Sequence, residues 1–100
     1  MAEKTYYVYL HTFSDGKRYV GITSMKPEAR WKEGRGYRRK KKGRWCQPYM
    51  AKATLKHDWN DIKHEILYEG LTKEEAKKIE SELIKAYRSD EIDFGYNIKP

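Results

Sequence analysis

The sequence predicts a small domain that mixes β-strands with α-helices, and three observations support this prediction. Near the start, two short aromatic triplets flank a strong turn signal, which is typical of a β-hairpin. Residues 62–68 alternate apolar and polar side chains, as a strand does. Residues 72–88 open with a capping motif and continue with an apolar stripe at helical spacing.

The hairpin comes first, with strands over about Thr5–Thr12 and Lys17–Thr23 joined by the turn Ser14-Asp15-Gly16. Because side chains alternate along a strand, the apolar residues share one face suited to a core: Val8, Leu10, Val20 and Ile22. The other face carries phenols, an ammonium and an imidazole: Tyr7, Tyr9, Tyr19, Lys17 and His11. Such a face favours proton transfer and phosphate binding. Aromatic pairs also stabilise hairpins by about 0.2–1 kcal/mol, so a packing role stays open.

Two shorter helices and a third strand are predicted next. Pro27 suits the first turn of a short helix that carries Arg30, and a second helix is expected from Pro48 to about Lys56. A third strand follows over Ile62–Tyr68. Two histidines and a tryptophan in this region are interpreted as packing residues: His57, His64 and Trp59.

A basic segment, residues 35–44, contains no acidic residue and is bracketed by Tyr37 and Trp45. Basic and aromatic side chains together suit phosphates and stacking on bases. Two other interpretations stay open: a solvated loop, or a loop whose aromatics anchor its ends to the core. The candidate nucleic-acid-binding residues are Arg35, Tyr37, Arg38, Arg39, Lys40, Lys41, Lys42 and Arg44.

The last helix is expected from the capping box of Thr72 and Glu75 to about Arg88. Its apolar stripe consists of Ala76, Ile79, Leu83 and Tyr87, with Ile84 at one edge. Glu80 falls inside that stripe, where a carboxylate must be paired, hydrogen-bonded or bound to a metal. The spacing alone leaves a buried salt bridge to Arg30 and a metal site equally open.

Composition limits the class of protein. One hundred residues suit a single domain over 1–100, and no segment approaches the roughly 20 apolar residues of a membrane span. The lone Cys46 offers no disulfide, and no secretory signal is evident, so a cytoplasmic location is expected. A net charge of +7 favours a polyanionic partner, nucleic acid rather than a membrane surface.

Together these pieces resemble the GIY-YIG nuclease family. Tyr-Val-Tyr at 7–9 and Tyr-Val-Gly at 19–21 stand in the places of the two name-giving motifs. Arg30 matches the family's arginine, Glu80 its metal-binding glutamate, and Gly-Tyr-Asn at 95–97 its closing motif. Three departures are evident: Tyr7 replaces the first glycine, the spacing of ten residues from Tyr9 to Tyr19 is at the short end of what is expected, and Gly34 stands where some members carry a histidine.

The resemblance implies a fold of the α/β (α+β) class, with a three-stranded antiparallel sheet flanked by helices. It also implies a catalytic set of Tyr9, Tyr19, Arg30 and Glu80, with Lys17 assisting. Glu80 would hold one divalent cation, Mg²⁺ or alternatively Mn²⁺. Tyr9 would act as general base, its pKa lowered by neighbouring cations, and Tyr19 would position the water or a phosphate oxygen; the reverse assignment stays open. Expected neighbours are Tyr7, His11 and Asn97, with His11 a substitute base or a plain surface residue.

The function implied is that of a magnesium-dependent DNA endonuclease that cuts one strand per active site, of the kind found in phages and mobile elements. It would act on DNA as a monomer or a transient homodimer, without a membrane. The alternative is a non-catalytic nucleic-acid-binding module that keeps the nuclease fold.

Overall fold

The computed structural model describes residues 4–91 and 93–97. The strands are β1 (Tyr6–Thr12), β2 (Arg18–Thr23), β3 (Lys40–Lys41), β4 (Arg44–Trp45) and β5 (Lys63–Leu71). The helices are α1 (Pro27–Trp31), α2 (Pro48–Lys56) and α3 (Lys73–Tyr87), with 3₁₀ turns at Lys32–Tyr37 and Trp59–Asp61. Within the described residues, no helix is long and apolar enough to cross a membrane.

The main sheet is antiparallel in the order β2–β1–β5, which confirms the predicted three-stranded architecture. Three pairings in it position the site. Tyr9 of β1 lies opposite Gly21 of β2, and His11 lies between Tyr19 on β2 and His64 on β5. The turn between β1 and β2 places Gly16 at a φ of 85°, which glycine adopts without strain.

Both faces of strands β1 and β2 are largely buried. The aliphatic face packs against the predicted stripe of α3, with Val8, Leu10, Val20 and Ala76 at its centre. The opposite face packs against the segments around α1 and α2, with Trp31, Tyr37 and Met50 covering Tyr9 and Tyr19. The interpretation of His11 as a plain surface residue is therefore wrong: its side chain is 0% exposed, because the rings of Trp31, Tyr37 and Trp59 lie against it.

Helix α3 begins as predicted. The Thr72 hydroxyl accepts from the backbone N–H of Glu75, and the Glu75 carboxylate accepts from that of Thr72. These two reciprocal hydrogen bonds satisfy the backbone N–H groups of Thr72 and Glu75, which the first helical turn would otherwise leave unpaired. Beyond this cap, Glu80 is partly buried beside the apolar residues of α3 that pack on the sheet.

The basic segment is more ordered than a loop. Strands β3 and β4 form a two-stranded hairpin whose turn residues, Lys42 and Gly43, have φ values of 53° and 77°. Positive φ at both turn positions matches the right-handed twist of the strands. We call residues 40–45 the basic hairpin.

Candidate active site

The Tyr9 phenol lies directly over Gly21. A Cβ atom at residue 21 would fall 2.5 Å from the Tyr9 hydroxyl and its ring, so only glycine fits opposite this side chain. Tyr9 is 1% exposed. The glycine of the second motif therefore makes room for the phenol of the first.

The Tyr19 hydroxyl donates to Gln47 Oε1 at 2.9 Å. Gln47 immediately precedes α2, so the start of that helix fixes the phenol. Tyr19 and Gln47 also line a cavity of about 510 Å³, together with two carboxylates, Glu80 and Asp90. A phenol and two acids therefore meet at one opening.

Glu80 is partly buried on the cavity wall and has no ion pair or hydrogen bond to any residue in the described ranges. Burial raises the pKa of its carboxyl group, and the Lys77 ammonium offsets part of that rise. The buried salt bridge to Arg30 that the sequence left open is absent between these two described residues. The carboxylate is thus available for a cation.

The Arg30 side chain is held by Gly36 and Tyr37, and it lies on a second cavity that Gln47 also lines. Its Nη1 donates to the Gly36 carbonyl oxygen at 2.9 Å, and its guanidinium lies 5.0 Å from the centre of the Tyr37 ring. A Cβ atom on Gly36 would lie 2.0 Å from the Arg30 carbonyl oxygen, so the close approach requires glycine. A second cavity of about 220 Å³ is lined by Arg30, Arg39 and Gln47.

A buried chain of polar side chains runs away from Tyr9. Its hydroxyl is 3.2 Å from that of Tyr37, and the Tyr37 hydroxyl is 2.7 Å from His11 Nε2. His11 Nδ1 lies 2.9 Å from His64 Nδ1, and His64 Nε2 lies 3.0 Å from the Trp59 carbonyl oxygen. His64 also stacks on the Trp59 ring with 4.0 Å between ring centres.

Burial dominates the electrostatics of the phenols. It raises the pKa of Tyr9, and the hydrogen bond to Tyr37 and the charge of Arg30 only partly offset that rise. The pKa of Tyr19 is raised still further by burial and by Tyr9. Arg30 does lower both pKa values, as expected, but desolvation outweighs its charge and both phenol pKa values are raised overall.

Lys17 is not brought to this site. It precedes β2 at the turn end of the hairpin, where its ammonium lies 5.4 Å from the centre of the Tyr96 ring and its backbone N–H donates to Asp15. Residues 17 and 19 share a face of the strand, but Lys17 lies toward the turn, among the Asp15 and Tyr96 side chains. Lys17 is thus a turn residue in this structure.

The expected neighbours differ in position. Asn97 lines the large cavity, but its amide is committed to β2: Oδ1 accepts from the Val20 N–H at 2.9 Å and Nδ2 donates to the Val20 carbonyl at 2.8 Å. It supports the strand that carries Tyr19. Tyr7 is partly buried opposite Thr23 and lines none of the cavities described here.

The basic segment divides into anchors and exposed cations. Tyr37 is 1% exposed, so its expected stacking on bases is wrong and the core-anchor interpretation holds. Arg38 donates to the Thr54 side chain and carbonyl, which fixes the segment to α2. The exposed cations are Arg35, Arg39, Lys40, Lys41, Lys42 and Arg44.

Two residues of the site were missed by sequence reasoning. Gln47 holds the Tyr19 hydroxyl and lines both cavities, and Asp90 adds a second carboxylate to the larger one. Neither belongs to a spaced motif. The only signal for Gln47 is its place before Pro48 at a helix start, and Asp90 offers none.

Gly34 explains one departure from the family pattern. A Cβ atom there would lie 3.2 Å from both the Thr54 and Trp59 side chains, so a histidine would not fit without rearrangement. The buried imidazole near Tyr9 belongs to His11 instead.

The antiparallel three-stranded sheet carries tyrosines on two adjacent strands. The helix-borne glutamate and the arginine lie on two cavities that share Gln47, and this arrangement is that of a nuclease-type domain. The chain matches the GIY-YIG catalytic domain over residues 5–97, and it belongs to the GIY-YIG family of nucleases. Neither the curated proteins nor the solved structures yield a significant match.

Proposed function

We propose that this protein is a magnesium-dependent DNA endonuclease that cuts one strand per active site. The observation that carries the proposal is the position of Glu80, whose carboxylate lies without a salt bridge among the described residues on the wall of the cavity that Tyr19 also lines. A binding module with no catalytic function has no need of this costly arrangement.

The donor set at the cavity fits Mg²⁺. No group of three or more His, Cys, Asp or Glu side chains suited to a metal occurs in residues 4–91 and 93–97. Magnesium is usually held by one or two carboxylates, with waters and substrate phosphate completing its shell. Glu80 would supply the first carboxylate and Asp90 is near enough to line the same cavity. A divalent cation there would polarise the phosphate and stabilise the departing 3′ oxygen.

The protein groups have separate tasks in this proposal. Arg30 uses one N–H on the Gly36 carbonyl and keeps its remaining donors for the non-bridging phosphate oxygens. Tyr19, whose proton is engaged by Gln47, can accept a hydrogen bond from the attacking water and so orient it. Tyr9 takes the proton of the attacking water. The Gln47 amide accepts a hydrogen bond from Tyr19 but is too weak a base to remove its proton. Tyr9, in contrast, is connected by hydrogen bonds through Tyr37 to the His11 imidazole.

A plasmid assay tests the proposed activity. Supercoiled DNA should be nicked in Mg²⁺ and left intact in EDTA, and the nicked circle should accumulate before any linear product, because each site cuts a single strand. Gel electrophoresis over time measures all three forms. Cleavage in EDTA would contradict the metal requirement, and direct conversion to linear DNA would contradict cutting of one strand at a time.

The basic hairpin is proposed to contact the DNA backbone. Changing Lys40, Lys41, Lys42 and Arg44 to glutamine should weaken binding to all sequences alike. The slope of log affinity against log salt should flatten by about 0.9 for each DNA phosphate that the variant no longer neutralises. Arg38 is left intact because it anchors the segment to Thr54.

A matched variant removes the same charge elsewhere. Lys52, Lys56, Lys73 and Lys78 are all exposed on α2 and α3, and their change to glutamine lowers the net charge equally. Fluorescence anisotropy at several salt concentrations compares the two variants. Equal flattening in both would mean that net charge, rather than the basic hairpin, governs binding.

A further inference from the structure

We propose that Tyr9, Tyr37, His11 and His64 form a proton relay that carries the proton of the attacking water to His64. The proposal rests on the nuclease function proposed above and adds to it the place where the proton goes. Four consecutive hydrogen bonds of 3.2, 2.7, 2.9 and 3.0 Å join these residues and end on the Trp59 carbonyl.

The direction of the chain follows from its last member. A carbonyl oxygen can only accept, so His64 Nε2 must carry a proton. When His64 is neutral its Nδ1 is then a bare acceptor, and His11 must donate from Nδ1. His11 Nε2 is left as an acceptor, so the single proton of the Tyr37 hydroxyl goes to it. Tyr37 then accepts from Tyr9, which is the reverse of the orientation in the structure, where the Tyr37 hydroxyl donates to that of Tyr9.

Transfer reverses the three hydrogen bonds between side chains and leaves the bond from His64 Nε2 to the Trp59 carbonyl unchanged. Water gives a proton to the Tyr9 oxygen as Tyr9 gives its own to Tyr37. Tyr37 passes its proton to His11 Nε2, and His11 Nδ1 passes its proton to His64 Nδ1. The water becomes the hydroxide that attacks phosphorus, and His64 becomes imidazolium. No phenolate accumulates, so the burial that disfavours a charged Tyr9 does not block the step. Loss of one proton from His64 to solvent returns the four residues to neutrality, and a second turnover then requires His11 to regain its Nδ1–H tautomer.

His64 is better placed than His11 to hold the charge. His11 is fully buried, and the charge of Arg30 acts on it. His64 is partly exposed, bonds a carbonyl through Nε2 and stacks on the Trp59 ring, which favours a cation.

Few charged groups face this chain. Arg30 acts on His11 and, together with Glu80, on Tyr9. The rings against the two imidazoles otherwise come from residues that stay neutral in this pH range: Tyr9, Tyr19, Trp31, Tyr37 and Trp59. The pH dependence of the relay is therefore expected to follow His64.

Nitrogen NMR of the metal-free protein tests the hydrogen-bond chain without any cleavage. Near pH 8 we expect His11 to be the Nδ1–H tautomer and His64 the Nε2–H tautomer. Burial lowers the pKa of both imidazoles, that of His11 further, so His64 should be protonated first as the pH falls. His11 as the Nε2–H tautomer beside a neutral His64 would overturn the relay.

The rate profile tests proton transfer. Single-turnover cleavage should be level at high pH and fall about tenfold per pH unit below the pKa of His64, which burial lowers from its ordinary value, because only neutral His64 accepts a proton. A rate that instead climbs tenfold per pH unit beyond pH 9 would indicate direct ionisation of a phenol and overturn the relay.

The variant His64→Gln separates proton transfer from packing. Glutamine can still donate to the Trp59 carbonyl and accept from His11, but it cannot take a proton. We expect cleavage to slow about 10²-fold or more, with an unchanged melting temperature and loss of the acid limb. His57→Gln, outside the chain, should match the wild type. Normal cleavage and pH profile in His64→Gln would overturn the relay alone, whereas an inactive wild type would overturn the proposed function.

Discussion

Replacement of Glu80 by alanine is expected to abolish plasmid nicking while the fold and most DNA affinity remain. The carboxylate is the residue on α3 that can bring a cation to the cavity wall beside Tyr19. Its loss should not be overcome by raising the Mg²⁺ concentration. Nicking by purified variants, DNA binding by anisotropy and circular dichroism give the three measurements.

Two acidic residues provide controls for this variant. Glu82 lies on the exposed side of the same helix, so Glu82→Ala should cut normally. Asp90→Asn tests whether the second carboxylate of the cavity also holds the metal. With Glu80 as the only protein ligand, Asp90→Asn should retain most activity. Full activity in Glu80→Ala would contradict the metal role.

Ionised Glu80 is expected to lower the free energy of unfolding of the protein. Burial raises the pKa of Glu80, so its ionised form is disfavoured in the folded state, and stability falls as pH rises from the unfolded pKa through the folded one. Glu80→Gln should therefore melt no lower than the wild type at pH 7. The difference should vanish below about pH 4, where the carboxyl is protonated in both states.

Elements set by neighbouring residues are predictable from sequence. The hairpin depends on a turn in which Gly16 supplies a positive φ, and the start of α3 depends on bonds between Thr72 and Glu75. Alternation along the strands also separates the two faces of the sheet correctly. These are short-range rules, and each involves only a few consecutive positions.

The burial of the tyrosine face is not predictable in this way. Phenols and imidazoles look suited to a surface because their polar atoms need partners. Here those partners come from distant parts of the chain: Tyr37 is 26 residues from His11 and His64 is 53. Only the packed structure shows that these groups satisfy one another, and the same fact turns Tyr37 from an expected DNA contact into a buried link.

The residues that line the larger cavity were likewise only partly predictable from the sequence. Tyr19, Glu80 and Asn97 were found through ordered motifs, whereas Gln47 and Asp90 occupy positions that a motif does not mark. Their roles depend on where the start of α2 and the segment after α3 meet the sheet edge. Such meeting points are set by tertiary packing rather than by local pattern.

Substitution of Arg30 by lysine is expected to slow the chemical step about 10²–10³-fold, with less than about a threefold change in DNA affinity. The guanidinium donates to the Gly36 carbonyl, lies against the Tyr37 ring and keeps further N–H groups for phosphate oxygens. A lysine ammonium keeps the charge but lacks the planar fork that can do all three.

Single-turnover cleavage at saturating DNA measures the chemical step apart from binding. Arg18→Lys is the matched control, since Arg18 lies 4.8 Å from the centre of the Tyr87 ring and bears the same kind of aromatic contact outside the site. It should cut at the wild-type rate. If Arg30→Lys instead loses DNA affinity and cleaves normally at saturating DNA, the guanidinium serves to bind DNA. The negative charge that grows on the phosphate in the transition state must then be stabilised by another group. Arg39, on the wall of the same cavity, is the first candidate.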